Sequence, residues 1–74
     1  MDVKEFVISD IKKIKKLNND IKLETLIEEL NFDSIEIVEL MMDLEDEYDI
    51  NLDFDVLVTF NRVIDIIFYI EKRL

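Results

Sequence analysis

Seventy-four residues, half of them apolar, suffice for one small domain with a limited core, and without Cys or His that core has neither disulfide nor zinc to staple it. Gly, Pro and Trp are absent too; the missing Gly excludes Walker and dinucleotide loops, and the missing His and Cys exclude Ser-His-Asp and Cys-His catalysis, zinc hydrolysis and thiol redox chemistry. Nineteen acids against nine bases leave a formal charge of -10, which repels nucleic-acid backbones, anionic membranes and the chain itself.

The first predicted element is an amphipathic helix over residues 2–17. Val3, Val7, Ile11, Ile14 and Leu17 recur at spacings of three and four, with the lysines turned to solvent. Asn18-Asn19-Asp20 is the clearest turn signal. Residues 20–33 carry Ile21, Leu23, Leu26, Ile27, Leu30 and Phe32 without a clean period. They read as a long, partly ordered loop whose apolar side chains pack inward; a helix over 23–31 is the competing reading.

A second long helix begins at Asp33 or Ser34 and runs to about Tyr48. Asp33 with Glu36 three residues on has capping-box spacing. Ile37, Leu40 or Met41, Leu44 and Tyr48 form its buried stripe. Asp49 and Asn51 interrupt that stripe, residues 54–60 suggest a short helix or turn, and 62–73 a final helix with Val63, Ile66, Ile67 and Ile70 inward. Nothing alternates long enough for a sheet. The expected fold is all-α, a small four-helix bundle of three main helices and one short one, with a long loop between the first two.

Charge is segregated along this plan. Six lysines lie within the first 22 residues, whereas Leu23 to Asn61 holds thirteen acids and no base, predicting one strongly negative face. The chain opens Met1-Asp2-Val3-Lys4 without a signal-type apolar segment, and no run approaches the roughly 18 apolar residues of a membrane span. The expectation is a soluble, cytoplasmic protein that binds no nucleic acid and inserts in no membrane.

Two decoys are set aside. Asn51, Asp53 and Asp55 match the first three ligand positions of an EF-hand loop, but Val56 stands where its Gly belongs and Arg62 where its Glu belongs. Glu45, Asp46 and Glu47 point different ways around a helix, so they form no acid–base pair, and no metal site is expected.

Ser34 draws attention through its setting, an accessible hydroxyl where a loop meets an acidic helix, with unpaired amides that favour phosphate. Its bland reading is an N-cap and nothing more. The wider run Leu30-Asn31-Phe32-Asp33-Ser34-Ile35, then Glu36-Ile37-Val38-Glu39-Leu40 and Leu44-Glu45-Asp46-Glu47-Tyr48, resembles the acyl carrier protein family, whose pattern is Asp-Ser-Leu/Ile followed by an acidic helix. Thr25-Leu26-Ile27-Glu28-Glu29-Leu30 upstream, and Val63 with Asp65 to Ile70 downstream, extend the resemblance over essentially the whole chain as a single carrier domain, 1–74.

That resemblance implies a monomeric, non-catalytic carrier with 4'-phosphopantetheine joined to Ser34 by a separate phosphopantetheinyl transferase (holo-acyl carrier protein synthase). Asp33 would help present the serine. Glu36, Glu39, Glu45 and Asp46 match acidic positions that meet basic patches on acyl-transfer and synthase enzymes, and Ile35, Val38 and Met42 match the apolar positions beside them. The leading assignment is fatty acid or polyketide synthesis, with peptidyl, aryl or D-alanyl carriers next and an acidic interaction module without prosthetic group as the different-class alternative. The residue spacing points the same way: Ile35, Val38 and Met42 lie on a face rotated from the buried stripe, as on a helix with a partner. Three departures stand out. Asn31 replaces a common Gly, Phe32 is bulky where small residues are usual, and Asp53-Phe54 falls where many carriers have Pro.

Overall fold

A computed structural model describes residues 2–74. Its order is α1 (Val3–Lys15), a 3₁₀ turn (Ile27–Leu30), α2 (Ser34–Tyr48), α3 (Phe54–Leu57) and α4 (Val63–Glu71). The all-α expectation with three main helices and one short one holds. The helices α1 and α4 are somewhat shorter than the sequence reading at both ends, and residues 16–33 contain only the 3₁₀ turn, so the helix over 23–31 is not formed.

Helix α1 starts because the Asp2 carboxylate accepts the Glu5 amide at 2.8 Å, and its last turn places Lys12, Lys13 and Lys15 at the negative end of the helix dipole. Its apolar stripe buries Val3, Val7, Ile11 and Ile14 against Leu40 and Leu44 of α2 and Val63, Ile66, Ile67 and Ile70 of α4. Each such side chain contributes about 1.5–3 kcal/mol when fully removed from water.

The loop after α1 is ordered by the start of α4. Leu26 and Arg62 form an isolated antiparallel bridge, the Ile27 amide donates to the Asn61 carbonyl, and the Val63 and Ile64 amides donate to the carbonyls of Thr25 and Leu23. Loop carbonyls thus satisfy donors at the head of α4 that lack intrahelical acceptors. Asp65 completes the cap by accepting the amides of Asn61 and Arg62, both at 2.9 Å, which hold its carboxyl below the usual range.

With no Gly available, left-handed backbone falls on Lys16, Asn31 and Asp49, all with φ above 50°. Each ends a helix or turn, a place where Gly is normally preferred. Asn and Asp tolerate this conformation better than most residues, whereas Lys carries the full steric cost of its Cβ.

One member of the α1 face is polar. Asp10 is 5% exposed, Lys13 lies 3.2 Å from its Oδ1, and its Oδ2 has no partner; Asp43 faces it from α2 and is itself 3.6 Å from Lys13. Burial first, then the neighbouring Asp43 carboxylate, pushes the Asp10 carboxyl up to about 6. A raised carboxyl pKa means the folded chain holds this proton more tightly than the unfolded chain does. Its stability contribution is therefore fullest below the unfolded pKa near 3.8 and is lost as pH rises through about 6. Thermal melts from pH 4 to 8 should show Asp10→Asn stabilised over wild type by on the order of 2 kcal/mol above pH 7, with the gain vanishing near pH 4. A difference independent of pH would show that folding leaves the Asp10 carboxyl unshifted.

Candidate functional site

The head of α2 is built by a reciprocal capping box. Asp33 has extended backbone, its carboxylate accepts the Glu36 amide at 2.8 Å, and Glu36 Oε1 accepts the Asp33 amide at 3.0 Å. Asp33 is therefore the N-cap and Ser34 the first helical residue. The bland reading of Ser34 as an N-cap is corrected: Ser34 is exposed and the capping role belongs to its neighbour. The box uses the amides of Asp33 and Glu36. Those of Ser34 and Ile35 remain without intrahelical acceptors at the positive end of the helix dipole.

Asn31 sets the approach to this turn. Its left-handed backbone (φ 52°, ψ 50°) ends the 3₁₀ turn and redirects the chain into Phe32 and Asp33. Lys15 holds it there from α1. The ammonium donates to the Asn31 carbonyl at 2.9 Å and to Glu36 Oε1 at 2.8 Å, and lies 5.5 Å from the centre of the Phe32 ring. The expectation that the lysines of α1 all face solvent fails here, because the Lys15 side chain is mostly buried and its charge meets the Glu36 carboxylate. Lys15 first, then the Asp33 amide, holds the Glu36 carboxyl below the usual range.

The outward face of α2 carries exposed Ile35, Val38 and Met42, with Ile35 77% exposed. These three side chains do not line the bundle; Leu40 and Leu44 do. Glu39 and Asp46 are also exposed. Glu45 is different: it is half-buried, and its Oε2 accepts the amide of Leu52 at 2.9 Å, tying the 49–53 loop back to α2. The expected acidic set thus divides. Glu36 and Glu45 have partners inside the chain, whereas Glu39 and Asp46 face solvent. Asp46 and Glu47 also sit in the last turn, where negative charge opposes the dipole.

Beside the serine-bearing turn lies an apolar cleft of about 360 Å³ between α2, α3 and α4, lined by Phe32, Ile37, Leu40, Phe54, Val58 and Ile66 among others. Asp53, read in the sequence as part of a false calcium loop, caps α3 by accepting the Val56 amide at 2.9 Å. Among the described residues no three acids converge as a metal site, and no helix is long and apolar enough to cross a membrane.

An exposed serine thus opens an acidic helix beside an apolar cleft in a small bundle. A family model described as the phosphopantetheine attachment site matches residues 6–70. The chain is 37% identical over 73 residues to a Mycoplasmopsis pulmonis protein named acyl carrier protein homolog, covering 99% of this chain and 97% of that one. It is 38% identical over 80 residues to the acyl carrier protein of Thermotoga maritima, with coverage of 100% and 99%. To that of Lactococcus lactis it is 30% identical over 71 residues, with coverage of 96% and 90%. No solved structure matches it. The chain belongs to the acyl carrier protein family, and with that comes a covalently held 4'-phosphopantetheine. The head of α2 fits such a group: a solvent-facing hydroxyl and first-turn amides without intrahelical acceptors.

The two kinds of acid separate experimentally. Glu45→Ala should lower stability in urea by about 1–2 kcal/mol, because the nearly buried Leu52 loses its acceptor. Asp46→Ala should stay within about 0.5 kcal/mol of wild type. Equal effects would show that Glu45 is a surface residue in solution.

Proposed function

We propose that Ser34 carries the 4'-phosphopantetheine arm and that the chain shuttles acyl groups between separate enzymes of fatty acid or polyketide synthesis. The observation that carries this reading is the division of labour in the capping box: Asp33 secures the helix, so the Ser34 hydroxyl is exposed and has no structural duty. An interaction module whose serine merely caps a helix would not leave that hydroxyl idle. When bound, the arm supplies a terminal thiol on which acyl groups travel as thioesters, a group this Cys-free chain cannot provide.

The chain's own residues then do three things. The free amides of Ser34 and Ile35, and the dipole behind them, favour a phosphodiester at the first turn. Ile35, Val38 and Met42 offer an apolar strip to a docking enzyme, with Met able to adapt to different surfaces. Glu39 and Asp46 add charge that speeds encounter with a basic patch without requiring slow release. The adjoining cleft is apolar enough to shield the first carbons of a cargo chain. That relatives in several bacteria are named acyl carrier proteins supports the pathway assignment.

Incubation with coenzyme A and a broad-specificity phosphopantetheinyl transferase should add the mass of one arm to wild type and nothing to Ser34→Ala; an unmodified wild type would refute the assignment. In the same assay, Glu39→Lys with Asp46→Lys should slow modification by about an order of magnitude at low salt, and less as salt rises. Reversing Glu5 and Glu71, which are also exposed but lie on α1 and α4, should change the rate little. Equal slowing by both pairs would locate no docking face on α2.

A further inference from the structure

Lys15 is the one cation that reaches the serine-bearing turn among the described residues, and it touches that turn on both sides of Ser34. Upstream it donates to the carbonyl of Asn31, three residues before the serine. Downstream it donates to Glu36 Oε1, the same oxygen that accepts the Asp33 amide in the capping box. One ammonium therefore fixes both the left-handed residue that aims the chain and the first helical turn that presents the hydroxyl.

The contact is not an ordinary surface pair. The Lys15 and Glu36 side chains are only 16% and 24% exposed, so their charges are shielded from solvent more than those of typical exposed pairs, which contribute little. Asn31 in left-handed backbone has a conformational cost that persists only where its surroundings hold it. Lys15 is that hold, supplied from a different helix.

We propose that Lys15 is a positioning residue for the modification of Ser34, acting through Asn31 and Glu36. This rests on the reading of Ser34 as the attachment point. Lys15 itself touches neither the donor nor the reacting hydroxyl. Its removal frees the segment 31–36 to sample other geometries, which lowers the fraction of encounters in which the hydroxyl is aligned. The effect falls on turnover, because the apolar strip and the exposed acids that dock the transferase are untouched.

The test is steady-state kinetics of arm transfer from coenzyme A by a purified phosphopantetheinyl transferase, with wild type, Lys15→Met and Lys15→Arg, each checked for helicity by circular dichroism at the assay temperature. Lys15→Met should lower kcat by about tenfold through misalignment alone. Its KM should stay within about twofold of wild type. Lys15→Arg should recover most of the loss, since a guanidinium reaches both acceptors. Wild-type kcat in Lys15→Met, a loss confined to KM, or no recovery in Lys15→Arg would each overturn the proposal. Should Lys15→Met melt below the assay temperature, the comparison is made at a lower temperature where its circular dichroism matches wild type, and an unchanged kcat there overturns the proposal. A wild-type chain that accepts no arm, or a Ser34→Ala chain that does, would instead overturn the assignment of Ser34, and this inference with it.

Discussion

Helix α2 carries six acids and no base, so any cation that neutralises it within the chain has to come from another element. α1 is that element. Lys13 approaches Asp43 and Lys15 pairs with Glu36, which relieves the inner edge of α2 and leaves Glu39, Asp46 and Glu47 facing water. The negative face therefore records where α1 does not reach. A net charge that opposes compaction becomes local, confined to the side where a basic partner would neutralise it.

The absence of glycine shapes the same region. A turn into a helix N-terminus commonly uses left-handed backbone, and here Asn31 adopts it with help from a lysine on α1. The bend before the serine thus depends on tertiary structure and not on residue type alone. Lys16 and Asp49 meet the same demand at the ends of α1 and α2.

The long helices were legible because their apolar residues repeat at the period of a helix: Val7 and Ile11, Leu40 and Leu44, Ile66 and Ile70 are all buried. Asp33 and Glu36 announced the capping box by spacing alone. Segment 23–31 was ambiguous because its order comes from backbone bonds to residues 61–64, more than thirty positions away, which no local pattern encodes. Lys15 was missed for a related reason. It follows Ile11 by four, on the flank of the stripe, a position from which a lysine reaches either solvent or a neighbouring helix. Glu36 and Glu45 looked like Glu39 in sequence; only their partners, Lys15 and the Leu52 amide, set them apart.

Both long partners of α1 pack on it, while the apolar cleft lies on the far side, where α2, α3 and α4 face one another. The molecule is bound like a book, with α1 as the spine. Its pages meet at Leu40 and Ile66, which line the cleft on one side and pack toward α1 on the other. Any change in the width of that cleft is thereby felt at the spine, through two side chains that belong to both.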